Sequence, residues 1–301
     1  MNDIFFNLEG ASASDINAEL RRCAGQCGFA RYSCAGHSVC SREIGALELG
    51  SLYRPALIIG GTHGTEWVSV FSALRLALEL SRCASERTCE YGIDVRRALG
   101  RSGAVIIPQL NPDGYEIFKN GASGAARRAH SLDRFEYGDF RHWQSNARGI
   151  DINHNFSAGF YIARAAAAKF GITRRGPTRY GGILPFSQPE TRTARRACER
   201  YRPRSLFSLH SQGEEIYWQY GERTHPSALS IAETLAALAG YTVTQPESIA
   251  SHAGLKDWFI ERYGLPAFTI ELGLGCNPLP YSEFEEIYQK IRRMLFVASV
   301  L

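Results

Sequence analysis

The stretch PALIIGGTHGTEW, residues 55–67, decides how the rest of the chain is read. Its first six residues form an apolar run too short for a helix and closed by glycines, the pattern of a strand buried on both faces of a sheet. The run that follows, Trp67–Cys83, carries apolar residues at helical spacing. Three further runs share the character of the first: Gly103–Gln109 (GAVIIPQ), Ser205–Leu209 (SLFSL) and Ala267–Leu272 (AFTIEL). Helical patterns separate and follow them. Pro189–Tyr201 starts after Ser187 with a proline in its first turn, and Pro226–Ala239 stops at Gly240, a C′ glycine. Glu283–Leu301 opens with Ser282 as N-cap and Glu285 as its capping-box partner. It then aligns Phe284, Ile287, Tyr288, Ile291 and Leu295 on one stripe. The alternation predicts an α/β fold, a three-layer α/β/α sandwich around a mixed, largely parallel central sheet. Residues 1–301 are expected to form a single domain, with residues 1–50 a cysteine-containing lead-in packed on it. Residues 121–149, rich in Arg, Gly and Ala, read as a long loop, and long loops in compact domains are usually functional or mobile.

The composition fits a soluble globular chain, with 45% hydrophobic and 21% charged residues over 301 positions, and excludes disorder and collagen-like or coiled-coil repeats. The net charge of +4 comes from 34 basic and 30 acidic residues spread along the chain. It gives no reason to expect nucleic acid or a membrane surface as partner. No window approaches 18 apolar residues, so no membrane span is expected. Residues 1–10 (MNDIFFNLEG) contain acids but no Lys or Arg, unlike the n-region of a signal peptide. The chain is therefore expected in the cytoplasm, with export left open. Eight cysteines contain no C-x-x-C pair and are expected as reduced thiols packed like small apolar residues.

Ligands of open α/β folds collect at the carboxyl ends of strands. Three such ends bring together His63 and Glu66 after the first run, His210 after the third, and Glu271 within the fourth. Each alone has an ordinary explanation, as a core histidine or a salt-bridged acid. Together, a His-x-x-Glu pair and a remote His form a His₂Glu donor set that leaves one position of a tetrahedral zinc open for water. Glu271 is then the spare carboxylate for general base and proton donor.

The ordered set GGTHGTEW, NPDGYE, GIDINHNF, FSQPET, SLHS and FTIELG resembles the signatures of the zinc carboxypeptidases of the carboxypeptidase A/B superfamily, from about Ala35 to the C-terminus. The resemblance implies one catalytic Zn²⁺ held by His63, Glu66 and His210, with Glu271 as the catalytic carboxylate. It makes Asp151 the carboxylate that orients the first histidine and Asn153 a group that binds the substrate carboxylate. Where the family reads Asn-Arg-Asn-Phe, with the arginine clamping a terminal carboxylate, this chain has His154. A histidine does not reproduce that bidentate contact. The family's Trp-Arg pair reads Trp143-Gln144, which leaves Arg148 or Arg141 to stabilise the oxyanion. The family's capping tyrosine falls at Ile249, so His252 or another mobile residue is expected to serve. The resemblance sets Lys256 at the position that lines the floor of the specificity pocket in digestive members, where a lysine should select an acidic group.

The strings LHSQGEEIYW and GLKDWFI are similar to a narrower branch, the γ-D-glutamyl-diamino-acid peptidases that cut peptidoglycan stem peptides. That branch implies a peptidoglycan-derived substrate cut at the γ-D-glutamyl–meso-diaminopimelate bond, with Lys256 facing the distal carboxylate. Arg141, Arg148 or another loop arginine would take the D-Glu α-carboxylate. Branch members often carry wall-binding repeats, for which this chain has no room, so free peptides or a targeting partner are expected. The rival readings are a carboxypeptidase preferring acidic C-terminal residues, a zinc-binding protein without turnover, and an acylase of small amides.

Overall fold

The computed structural model describes residues 8–133, 138–245 and 252–301. The chain begins its described part with α1 (Ala13–Gln26) and the hairpin β1 (Ala30–His37) and β2 (Glu43–Leu49). There follow β3 (Ala56–Ile59), α2 (Trp67–Glu86), the short pair β4 (Cys89–Glu90) and β5 (Ile93–Asp94), and α3 (Val95–Arg101). Next come β6 (Ala104–Ile107), α4 (Pro112–Asn120), α5 (Ala129–Asp133) and α6 (Phe160–Lys169). The last part runs α7 (Pro189–Tyr201), β7 (Ser205–His210), β8 (Glu215–Tyr217), α8 (Ala228–Ala239), β9 (Thr242–Thr244), α9 (Leu255–Tyr263), β10 (Ala267–Glu271) and α10 (Phe284–Val300).

Eight of these strands form one sheet in the order β1-β2-β6-β3-β7-β10-β8-β9. The four strands expected from the apolar runs are its centre, β6, β3, β7 and β10, all mutually parallel. Both their faces are covered, which is why they read as unbroken apolar runs. Ile58, Ile106, Phe207 and Phe268 pack with α1, α2, α8 and α10 on one side. Leu57, Ile59, Val105 and Leu206 pack with α7 and α9 on the other. The α/β sandwich is thus as expected. Outside this centre the pairs β1–β2, β2–β6 and β10–β8 are antiparallel, and the edge pair β8–β9 is parallel. Residues 30–49 of the expected lead-in join the sheet as its edge hairpin. No helix among the described residues is long and apolar enough to cross a membrane.

Local differences have local causes. Ser282 does not cap the last helix: it lies in a 3₁₀ turn, Tyr281–Glu283, and Glu283 takes the N-cap position without a side-chain cap. Glu285, its expected partner, is engaged by Arg75 from α2 instead. The stripe it was meant to introduce is buried as predicted. α7 is preceded by Gln188 as N-cap, because the Ser187 hydroxyl accepts a bond from Asn155. Residues 121–133 are helical turns rather than loop. All eight cysteines are free, with Cys23, Cys27, Cys83 and Cys198 buried.

Glu190 fastens α7 to the segments around it. Its carboxylate accepts bonds from Val39 N and Asn146 Nδ2, each at 3.0 Å. Burial, reinforced by the neighbouring Asp113, pushes its pKa up to about 7. A carboxyl whose folded pKa is raised is protonated in the folded state while the unfolded chain ionises, so stability is greatest below the unfolded value of 4.5 and declines as pH rises to about 7. Glu190→Gln should flatten that decline, worth up to about 3 kcal/mol, when urea midpoints are measured from pH 4.5 to 8. An unchanged pH slope would refute this account of Glu190.

Candidate active site

Two glycines let the chain leave β3 and deliver His63. Gly61 has a left-handed backbone (φ +61°), and a Cβ on Gly64 would lie 2.3 Å from Gly114 O and 2.5 Å from Trp143 O. Glu66 sits at the N-cap position of α2, whose Trp67 is fully buried and bonded through Nε1 to Leu279 O at 2.8 Å. His210 ends β7. Glu271 ends the neighbouring β10 and pairs with His210 in the parallel register, so both side chains leave the sheet on the same face.

The donors converge. His63 Nδ1 is 2.8 Å from Glu66 Oε1, and His210 Nδ1 is 3.0 Å from Glu66 Oε2. The ligand atoms of the three residues all lie within 4.8 Å of one another. Burial opposes ionisation of Glu66, but the two imidazoles outweigh it and lower its pKa to about 2. Glu66 Oε2, buried, has the His210 ion-pair contact at 3.0 Å but no hydrogen bond among the described residues. A buried carboxylate with one oxygen lacking a hydrogen bond and an imidazole nitrogen against each oxygen is what a cation would satisfy. Two nitrogens, one carboxylate and open space beside them fit zinc in its catalytic coordination.

The far nitrogen of each histidine is held. His63 Nε2 lies 3.1 Å from Asp151 Oδ1, and His210 Nε2 lies 3.1 Å from Ser208 Oγ. Asp151 Oδ2 accepts the Arg179 backbone N–H at 2.7 Å, and Oδ1 accepts that of Asn153 at 3.0 Å. Burial works against its charge, but His63, His154 and these donors keep Asp151 far below the usual carboxylate range. Burial and the Glu66 carboxylate push Glu271 the opposite way, well above its ordinary pKa.

These groups open into a cavity of about 190 Å³ lined also by Gln144, Asn153, His154, Thr178, Arg179, Tyr217, Lys256, Asp257 and Thr269. Of the residues expected at the site, His63, Glu66, His210, Glu271, Asp151, Asn153, His154 and Lys256 meet there. His154 is held below its ordinary pKa by burial, only partly offset by Asp151. Lys256 is 4% exposed and not a free charge: its ammonium bonds Asp257 Oδ1 at 2.5 Å and Gln219 O at 2.8 Å.

Three expected residues do not line the cavity. Arg148 reaches Gln188 Oε1 at 3.4 Å, because its backbone N–H is folded back onto Asn146 Oδ1. Arg141 is 79% exposed and clasped by Asp139 two residues away. His252 Nδ1 lies 3.0 Å from the Tyr220 hydroxyl, beside Gly159. Ile249 lies outside the described residues. Sequence reasoning treated Gln144 only as a lost arginine, yet it lines the cavity with its Oε1 bonded by Thr178 Oγ1. It passed over Arg179, Tyr217 and Asp257. For Arg179 the sequence offered no signal to separate it from Arg174 and Arg175.

A family model for zinc carboxypeptidase matches residues 16–293. Gamma-D-glutamyl-L-diamino acid endopeptidase 1 of Lysinibacillus sphaericus is 29% identical over 260 residues, covering 85% of this chain and 63% of the relative. The chain thus spans less than two thirds of that relative's length. Among solved structures, bovine thrombin-activatable fibrinolysis inhibitor in complex with tick carboxypeptidase inhibitor superposes with a TM-score of 0.74 at 19% identity, over 98% of this chain and 97% of the other. Murein-tripeptide amidase MpaA from Escherichia coli O157 does so with a TM-score of 0.53 at 20% identity, over 89% and 91%. At such identities these two structures speak for the fold.

The donor geometry predicts distinct metal phenotypes in a chelator competition. His63→Ala should abolish stoichiometric zinc binding, and Asp151→Asn should weaken it about 10–100-fold. Glu271→Gln should leave one zinc per chain. Loss of zinc from the Glu271 variant, or its retention by the His63 variant, would overturn the assignment of ligands.

Proposed function

The chain belongs to the zinc carboxypeptidase family, and we propose that it hydrolyses the γ-D-glutamyl–meso-diaminopimelate bond of peptides derived from peptidoglycan. The observation that carries this reading beyond peptide hydrolysis in general is the buried Lys256–Asp257 pair in the cavity wall. A lone lysine would favour an acidic side chain. A lysine already neutralised by an aspartate offers little net attraction to a single charge. It complements a side chain ending in both a carboxylate and an ammonium, as the distal end of meso-diaminopimelate does. The similarity to a γ-D-glutamyl-L-diamino acid endopeptidase points to the same substrate class. The acid-selecting carboxypeptidase is the weaker reading because the charge it needs is taken. A binding protein without turnover is disfavoured by Glu271, the candidate base, standing in register beside His210.

Zinc, when bound by His63, Glu66 and His210, would polarise the scissile carbonyl and acidify a water. The chain's own groups do the rest. Asp151 fixes the tautomer and orientation of His63. Glu271 takes the proton of the attacking water and returns it to the leaving nitrogen. In place of the arginines considered from sequence, Gln144 is the oxyanion donor of this proposal. Thr178 occupies its Oε1, and its Nε2 remains available to donate into the cavity. Asparagine and glutamine amides serve this purpose when held in place.

Mass spectrometry of L-Ala-γ-D-Glu-meso-diaminopimelate incubated with zinc-loaded protein should reveal free diaminopimelate. An intact tripeptide would overturn the proposal. On a substrate that is cleaved, Gln144→Ala should lower kcat about 10²–10³-fold with little change in KM. A change confined to KM would remove Gln144 from the oxyanion role.

A further inference from the structure

The cavity wall carries two cationic side chains, Lys256 and Arg179. Lys256 is paired. Arg179 is exposed, and among the described residues its guanidinium has neither a hydrogen-bond nor an ion-pair partner. The other arginines considered for the site are spoken for, Arg148 by Gln188 and Arg141 by Asp139.

The backbone around Arg179 is specified closely. Arg179 takes a left-handed conformation (φ +63°) that a non-glycine residue adopts only where its surroundings enforce it. Here its N–H is bound to Asp151 Oδ2 at 2.7 Å, and the next residue's carbonyl accepts the Asp151 N–H at 2.9 Å. Gly181 completes the contact, because a Cβ there would lie 2.0 Å from His154 O. The segment 178–181 is therefore pressed along residues 151–154. Arg179 and His154 line both the main cavity and the small one behind it. Asn153 stands at the same wall, with its Oδ1 taken by the Leu255 N–H at 3.2 Å and its amide nitrogen without a hydrogen-bond partner among the described residues.

We propose that Arg179 is the specificity-determining cation that binds the free α-carboxylate of the residue released by cleavage, assisted by Asn153. It would take over, from a different segment, the contact that an arginine at position 154 would make. This inference rests on the substrate reading above. It makes the enzyme selective for peptides that end at the residue after the cut. An arginine guanidinium remains charged at any working pH and can grip a carboxylate with two parallel hydrogen bonds, whereas the imidazole of His154 cannot.

The test uses two ligands, L-Ala-γ-D-Glu-meso-diaminopimelate with the α-carboxylate at the linked centre free, and the same tripeptide with that group as a carboxamide. In zinc-loaded wild type, amidation should raise KM about 10–100-fold with a smaller effect on kcat. Arg179→Gln should erase the difference, and Arg179→Lys should restore part of it. Adding His154→Arg to Arg179→Gln should recover part of the discrimination, which a merely structural role for Arg179 would not allow. The same ligands titrated calorimetrically into zinc-loaded Glu271→Gln protein separate this inference from the reaction itself. Discrimination in binding without wild-type turnover would refute the reaction and retain the clamp. Equal binding of both ligands, binding of neither, or discrimination that survives Arg179→Gln would overturn the clamp.

Discussion

One buried carboxylate connects the parts of this site. Asp151 uses Oδ1 for the imidazole of His63 and for the turn at Asn153, and Oδ2 for the backbone of Arg179. Through it the strand-end histidine, the 3₁₀ turn Ile152–His154 and the segment 178–181 share one anchor. A carboxylate taken this far from water is tolerable only when its oxygens are occupied. The constraint thus runs both ways: the donors hold Asp151 ionised, and Asp151 holds the donors. Because one of them is His63, the position of the first candidate metal ligand is tied to the wall that faces the substrate.

The centre of the fold was legible because its strands are covered on both faces. Burial on two sides leaves a short run of apolar residues and little else, and the four runs found this way are the four central parallel strands. The edge hairpin β1–β2 gave no such signal at its outer strand, where exposed and half-buried residues alternate irregularly. Strands β8 and β9 are three residues each, too short for any period to show. The capping box expected at Ser282 failed for a different reason. A local pattern assumes that Glu285 has no better partner, and Arg75, which is 210 positions away in sequence, is one.

The candidate site divides along the same line. His63, Glu66, His210 and Glu271 were readable because strand ends are fixed points of the topology, and a residue's place at such an end follows from its place in the sequence. Arginines in the connecting segments have no such fixed point. Arg148 lies three residues from Asp151 and still turns away, since the bond from its N–H to Asn146 closes a tight turn that aims the side chain at Gln188. Arg179 lies 28 positions from Asp151 and comes into the cavity wall. Lys256 lines the cavity, but its charge is paired there, because Asp257 curls back over the first turn of α9, where its Oδ2 also meets Gly254 N at 3.3 Å.

The same anchoring explains how a cation at position 179 can do what one at position 154 would do. A guanidinium at 154 would start from a backbone whose nearest acid is Asp151, with His154 Nε2 already 3.9 Å from its Oδ2. Such a group would share its charge between that acid and the substrate, and would compete for the oxygen that fixes residue 179. Arg179 meets Asp151 only through its backbone N–H. The aspartate therefore sets where residue 179 stands without engaging its side chain, and the charge is left whole for a carboxylate in the cavity. Holding a cation by its main chain rather than by its guanidinium separates the task of positioning from the task of binding, and it leaves His63 the better-supported claim on Asp151.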